Sequence, residues 1–162
     1  MRGEFVRREL LGVNTPSGSN TKLPAYQDAT WPDGALRSSV HDVGRFLSTI
    51  LHGGAIPGSH GGKERRILRE DSVSKMLAPL ATDSDGVGTG VFWETGFTDT
   101  GRTVTGHSGS DFGFTSLMYF DPATAVGIVL LVNADTERFA EVFEPALIEQ
   151  WFQHAEYLHS KR

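Results

Sequence analysis

The segment from Gly113 to Asn133 constrains the fold of this chain more than any other part of the sequence. Its two halves, Gly113–Phe120 and Val126–Asn133, are rich in the β-branched and aromatic residues that favour strands. Between them lies Asp121-Pro122-Ala123-Thr124, a sequence typical of turns. Two strands joined by so short a connection pair antiparallel, so the sequence predicts a β-hairpin here.

Two short amphipathic helices are predicted before the hairpin. The first covers Val40–His52, with Ser38 or Ser39 as its cap and Gly53-Gly54 as its stop. Its apolar positions recur at the spacing of one helix face: Val43, Phe46, Leu47 and Ile50. The second begins at an Asp71 or Ser72 cap and ends before Pro79. Its apolar stripe consists of Val73, Met76 and Leu77.

A longer helix is predicted over Glu137–Leu158, with a kink or break near Glu144 because Pro145 falls inside it. One face is expected to carry Phe139, Val142, Phe143, Ala146, Leu147, Gln150 and Trp151. Further strands are predicted at Val87–Trp93 and Arg102–Gly106. The elements indicate an α+β fold in which helices pack on an antiparallel sheet. Residues 1–29 are expected to form an extended segment, and residues 30–162 the folded domain.

Composition excludes several classes of function. The 162 residues carry a formal net charge of −5, which argues against a nucleic-acid-binding face. The longest apolar run, Val126–Val132, is far shorter than the roughly 20 residues of a membrane helix, so no membrane partner is expected. The chain contains no cysteine, and its histidines are dispersed without a metal-binding motif. Neither a metal nor another cofactor is therefore predicted.

The string Gly106-His107-Ser108-Gly109-Ser110 is close to the Gly-x-Ser-x-Gly nucleophile elbow. Such an elbow requires a strand, a sharp turn and then a helix. Asp135 and either His154 or His159 would complete a triad with Ser108 in the order Ser, Asp, His. However, the residues after Ser108 alternate as a strand does, and only a hairpin separates Ser108 from Asp135. Both features oppose the elbow.

Two Ser-x-x-Lys strings, Ser19–Lys22 and Ser72–Lys75, raise a second possibility. On a helix this spacing puts both side chains on one face, where the amine can take the hydroxyl proton. The first string lies in a loop bounded by glycine and proline. In the second, Ser72 is expected to be a helix cap with its hydroxyl bound to backbone N–H groups. A small esterase that uses Ser108 or Ser72 is therefore the less favoured alternative.

Four sequence blocks in a fixed order carry a resemblance to a known family. They are "WPDGALRSSVHDVGRFLSTILHGG", "ILREDSVSKMLAP", "GVGTGVFWE" and "GHSGSDFGFTSLMYFDPATAVGIVLLVNAD", followed by an amphipathic helix. Over about residues 30–158 the chain resembles the serine β-lactamase-like family, which includes class C β-lactamases, penicillin-binding-protein-like DD-peptidases and related esterases. The resemblance implies the C-terminal portion of the β-lactamase/transpeptidase-like fold. It also implies acyl transfer through an acyl-serine, on an ester, a β-lactam or a peptide.

The resemblance assigns roles to His107-Ser108-Gly109-Ser110. In many members of that family an H-x-G triplet, in place of K-T-G, lies on the strand at the edge of the active site. His107 would then be catalytic, polarising the substrate or assisting proton transfer. Ser110 would also be catalytic, because its amide would be an oxyanion donor. Ser108 and Gly109 would bind substrate, and Ser108 would not be the nucleophile.

The resemblance also has a gap. The family's nucleophilic Ser-x-x-Lys and its Tyr-x-Asn motif belong before the Trp31-Pro32 block, where Tyr26-Gln27-Asp28 matches poorly. The favoured interpretation is thus a C-terminal half of such a hydrolase that lacks its nucleophile and is completed by an N-terminal half. An uncovered sheet edge would also make it a homo-oligomer. A non-catalytic binding or assembly domain is the alternative, and whether the chain is an enzyme stays open.

Overall fold

The computed structural model describes residues 12–14, 20–22, 34, 36–58, 65–98, 100–111, 113–133 and 144–161. Two short strands, β1 (Gly12–Asn14) and β2 (Asn20–Lys22), pair antiparallel within the segment expected to be extended. The other strands form one antiparallel sheet in chain order: β3 (Ala81–Thr82), β4 (Gly88–Thr89), β5 (Glu94–Phe97), β6 (Thr103–Asp111), β7 (Phe114–Asp121) and β8 (Val126–Val132). The helices are α1 (Val40–Leu51), α2 (Glu70–Leu77) and α3 (Glu144–His159).

The sheet separates two apolar cores, and this arrangement confirms the α+β prediction. Alternate side chains of a strand point to opposite faces. On one face, α1 and α2 pack on the sheet through Leu47, Ile50, Val73, Trp93 and Phe120. On the other face, α3 packs through Phe152 against Val104, Leu117 and Ile128. The predicted hairpin forms β7 and β8, which pair from Thr115 with Val132 to Asp121 with Val126.

Helix α1 forms as predicted. Ser39 is its cap, and the Ser39 hydroxyl accepts a hydrogen bond from the Asp42 amide at 3.1 Å. The helix lies close to β8 because position 127 is glycine: a Cβ there would stand 2.7 Å from Cδ2 of Leu47. The glycine thus allows the close contact between the helix and the sheet.

The predicted cap of α2 is wrong. The helix begins at Glu70, with Arg69 as the capping residue and no side-chain hydrogen bond at the cap. Ser72 lies within the first turn, where its amide donates to the Arg69 carbonyl at 3.0 Å. Glu70 and Asp71 supply negative charge at the helix N-terminus, which stabilises it without a hydroxyl cap.

The predicted strand at Val87–Trp93 is also wrong. Only Gly88–Thr89 of that stretch is in a strand, and the chain then turns through Val91 and Phe92 into β5. Gly90 sits so close to α2 that a Cβ would lie 2.5 Å from the Met76 carbonyl oxygen. A turn is therefore required where a continuous strand was expected. By contrast, β6 extends five residues past the predicted end at Gly106, because β7 pairs with it as far as Asp111.

Helix α3 follows its predicted apolar face only in part, because Trp151 packs in the core as predicted but Gln150 does not, and the side chains of Ala146 and Leu147 lie outside the described residues. Phe152 is fully buried and Ile148 and Trp151 pack around it, whereas Gln150 is exposed. Pro145 lies in the first turn, a position that needs no amide donor. The predicted portion from 137 to 143 lies outside the described residues. Within the part of the chain that the structure describes, no helix is long and apolar enough to cross a bilayer.

A charged cluster around Arg102 also fixes α3 to the sheet. The Arg102 guanidinium pairs with Asp121 at 2.6 Å, Glu149 at 3.0 Å and Glu156 at 2.6 Å. It also lies 5.0 Å from the centroid of the Phe152 ring. The hydrogen bonds from Arg102 lower the pKa of Glu149 from 4.5 to about 2, against the opposing effect of burial. Burial raises the pKa of Asp121, but hydrogen bonds from Ala123 and Arg102 outweigh it and lower that pKa overall.

Candidate functional site

The candidate site lies on β6, where His107, Ser108, Gly109 and Ser110 follow one another along a regular strand. Strand β5 pairs with β6 only from Thr103 to Gly106. Strand β7 pairs with β6 through the whole of the site segment, with His107 opposite Met118 and Gly109 opposite Ser116. Along His107–Gly109, the side of β6 away from β7 therefore has no strand partner among the described residues. We call this stretch the open edge of β6.

Strand alternation divides the site residues between the two faces of the sheet. Met118, the partner of His107, belongs to the core under α1 and α2, so His107 and Gly109 point to that face. Leu117, the partner of Ser108, belongs to the core under α3, so Ser108 points to the opposite face. All four residues of the segment are exposed. His107 and Ser108 consequently do not act from the same side of the sheet.

The His107 ring is oriented by a local contact. Its Nδ1 atom makes a hydrogen bond with the carbonyl oxygen of Ser108, its neighbour in the chain. When Nδ1 carries the proton and donates to that carbonyl, Nε2 is left as an acceptor. Because the ring is exposed, Nε2 is then available to a bound molecule.

Two glycines shape the strand around His107. At Gly106 a Cβ would collide with the Met118 carbonyl oxygen and with the Tyr119 ring, so only glycine fits. At Gly109 a Cβ would stand 2.9 Å from the Ser116 hydroxyl. The Ser116 hydroxyl in turn donates to the Gly109 carbonyl at 3.4 Å. The backbone therefore carries no side chain at Gly106, directly before His107, or at Gly109, two residues after it on the same face of the sheet.

The elbow geometry is not present at Ser108. Ser108 lies within strand β6, and the next element is strand β7 rather than a helix. His154 is exposed on α3, and no hydrogen bond joins it to Ser108 among the described residues. Asp135 lies outside the described residues, as does the side chain of His159. Ser108 therefore lies within a regular strand, and among the described residues no histidine is hydrogen-bonded to its hydroxyl.

The second Ser-x-x-Lys string lies on α2, as predicted, but its members do not interact. Ser72 and Lys75 share no hydrogen bond in the described part of the chain, and Lys75 is exposed. The first string is not helical where it is described, because Asn20–Lys22 forms β2. Ser19 lies outside the described residues. No described His, Asp and Glu side chains form a group of three that could hold a metal ion.

The turn at Val91-Phe92, which connects β4 to β5, was not predicted from the sequence. Phe92 has a φ of 63° and is 82% exposed as a residue. The feature of the sequence that could have indicated the turn is Gly90, because a glycine inside a run of strand-forming residues often marks a break in the strand. The stretch Val87–Trp93 predicts a strand because valine, phenylalanine and tryptophan all favour strands.

An antiparallel sheet with α1 and α2 on one face and α3 on the other defines a fragment of the β-lactamase/transpeptidase-like fold. The chain belongs to the beta-lactamase family, whose family model matches residues 5–150. This match begins well before residue 30, where the resemblance was expected to start. The family is one of serine hydrolases.

A solved structure has the same fold. The octameric penicillin-binding protein homologue from Pyrococcus abyssi superimposes with a TM-score of 0.62 at 21% sequence identity. The similarity covers 78% of this chain but 27% of that protein, so the chain spans about a quarter of its relative's length. No curated protein matches the sequence significantly.

Proposed function

We propose that this chain forms one wall of the active site of a serine hydrolase, along the open edge of β6. The reaction would be acyl transfer through an acyl-serine, on an ester, a β-lactam or a peptide substrate. The attacking hydroxyl would come from a polypeptide segment other than those that carry Ser72 and Ser108. The observation that carries the proposal is that His107 is exposed on the edge of β6 just beyond Gly106, the last residue of β6 that pairs with β5.

Each residue has a distinct part in the proposal. His107 would contact the substrate through Nε2 and assist proton transfer. Gly109 would let an extended substrate approach the backbone, as a strand does when it adds to a sheet edge. The Ser110 amide would stabilise negative charge on the acyl oxygen. The Ser108 side chain points to the other face, so Ser108 would bind the substrate through its backbone and its hydroxyl would not be the nucleophile.

Covalent labelling tests the origin of the nucleophile. The 162-residue chain is incubated with a fluorophosphonate and with a fluorescent penicillin, and its intact mass is measured. We expect no adduct, because Ser72 makes no hydrogen bond with Lys75, and Ser108 makes none with His154, in the described structure. An adduct mapped to Ser72 or Ser108 would contradict the proposal and favour the small esterase.

Non-covalent binding tests the wall itself. Amide shifts are followed by NMR while benzylpenicillin is added, and we expect the largest changes from His107 to Ser110. His107→Ala should weaken binding by about tenfold, the scale of one lost charge-assisted or well-placed hydrogen bond. His154→Ala is the matched control, since His154 is an exposed histidine on α3. Shifts confined to other regions, or equal losses in both variants, would contradict the proposal.

We further propose that the chain is a homo-oligomer in solution. Strand β8 is the last strand of the sheet, and it has no strand partner on its outer side among the described residues. Its sequence, VGIVLLV, carries no charge and no proline, which are the features that protect exposed edges. The Pyrococcus relative is octameric, which agrees with assembly in this family. A second copy of β8 would continue the sheet.

A further inference from the structure

The turn at Val91-Phe92 precedes β5 and lies at the end of β5 that is next to the open edge of β6. The last pair between β5 and β6 is Glu94 with Gly106. Because the two strands are antiparallel, the residues that precede Glu94 lie beyond the same end of the paired region as the residues that follow Gly106. Trp93 and then Phe92 therefore lead along the sheet toward the side of His107 and Ser108. The turn is the described element that adjoins the site where β5 ends.

The turn is fixed at several points. The Gly90 amide donates to the Trp93 carbonyl at 2.7 Å, and the Val91 amide donates to the Met76 carbonyl at 2.9 Å. Trp93 is 4% exposed and meets the Phe120 ring edge-on at 6.0 Å between centroids. One hydrogen bond to α2, one within the turn and the buried Trp93 indole thus fix the residues on both sides of Phe92. Its position is set by the fold and not by its own side chain.

Phe92 itself gains little from this position. Its φ of 63° is in the left-handed region, where glycine or asparagine is favoured over a residue with a bulky side chain. Phe92 as a residue is 82% exposed, so burial does not compensate for the strain. A single exposed phenylalanine is ordinary, but one held in a strained backbone conformation beside a site indicates a role in binding.

We propose that Phe92 is a specificity-determining residue that packs against an aryl or other bulky apolar group on the substrate. This inference rests on the proposed function, because it places the reacting part of the substrate on the open edge of β6. The substrate class it selects is an ester or amide whose acyl part carries an aromatic ring. A ring stacked on Phe92 would remove apolar surface of both partners from water.

A pair of ligands separates the contribution of Phe92 from that of β6. Benzylpenicillin carries a phenylacetyl group, and 6-aminopenicillanic acid is the same core without it. Their dissociation constants are measured by NMR titration on the wild-type chain, Phe92→Ala and Phe97→Ala. Phe97 is the matched control because it is a 61% exposed phenylalanine at the opposite end of β5, paired with Thr103.

We expect the wild-type chain to bind benzylpenicillin about tenfold more tightly than the core, as burial of one aromatic group predicts. Phe92→Ala should reduce this preference to less than about twofold, while Phe97→Ala keeps it. If both ligands shift the His107–Gly109 amides but Phe92→Ala keeps the preference, the inference fails and the proposed function stands. If neither ligand shifts those amides, the proposed function fails and the inference fails with it.

A stability measurement distinguishes a binding role from a structural one. Phe92→Gly relieves the left-handed strain, so its midpoint of thermal unfolding should rise by about 2 °C while the preference for benzylpenicillin is lost. Phe92→Ala keeps the strain and should leave the midpoint unchanged. A lower midpoint in Phe92→Gly would mean that the ring stabilises the fold, and would overturn the inference.

Discussion

Arg102 and Glu149 are joined by two nearly parallel hydrogen bonds, from Nε to Oε2 at 3.1 Å and from Nη2 to Oε1 at 3.0 Å. Thr100 and Gln153 donate to the same carboxylate, at 2.9 Å and 3.2 Å. Both charged side chains are largely buried, with 16% and 15% of their surfaces exposed. This geometry links the start of β6 to α3 and therefore stabilises the packing of α3 on the sheet.

Glu149→Gln should destabilise the chain by about 1–3 kcal/mol, because Arg102 keeps its charge but loses a bidentate partner. The measurement is the free energy of unfolding in urea at neutral pH. Glu94→Gln is the control, since Glu94 is exposed and makes no ion pair in the described structure, and it should change stability by less than about 0.5 kcal/mol. Equal effects of the two substitutions would contradict this account of the cluster.

The same cluster predicts how stability depends on pH. The pKa of Glu149 falls from 4.5 in its ordinary state to about 2 in the folded chain. A lowered pKa means that the unfolded chain binds the proton first, so the stabilisation is complete above about pH 5 and is lost as pH falls toward 2. Unfolding in urea from pH 7 to pH 2 should show this loss. Glu149→Gln should flatten the slope in that window, and an unchanged slope would count against the assignment.

Gly106→Ala should be strongly destabilising, by about 3 kcal/mol, because its Cβ has no room beside the Met118 carbonyl and the Tyr119 ring. Gly44→Ala is the matched control. A Cβ at Gly44 would meet nothing within 4 Å on helix α1, so that change should stabilise the chain by about 0.5–1 kcal/mol. Urea unfolding of both variants is the measurement, and a tolerated Gly106→Ala would show that β6 and β7 are less tightly paired than described.

Assembly through β8 is tested by sedimentation velocity. The wild-type chain should sediment as an oligomer, and Leu131→Lys should shift it to monomer because a lysine on the edge strand disfavours pairing. Leu131 is 37% exposed on β8, and Leu36, which is 88% exposed before α1, provides the control substitution Leu36→Lys. A wild-type monomer, or dissociation by both substitutions alike, would argue against an interface at β8.

Local sequence was sufficient to predict an element wherever its structure depends only on residues close to it in the chain. The Ser39 cap of α1 and the β7–β8 hairpin depend on neighbours within a few residues, and both were predicted. The strand predicted at Arg102–Gly106 stops one residue before His107, and only the family resemblance, which rests on the order of the motifs, places His107 on a strand. By contrast, the turn at Val91-Phe92 depends on how closely Gly90 approaches α2, a contact that spacing in the sequence does not reveal.

The sequence by itself determined the class of fold, helix α1 and the β7–β8 hairpin, because alternation and helical spacing are properties of adjacent residues. Only the tertiary structure decided which face of α3 is buried and where β6 loses its neighbour. Arg102 meets Glu149 and Glu156 across 47 and 54 residues of chain. Such pairs form only when the sheet has brought distant segments together, so no local pattern encodes them.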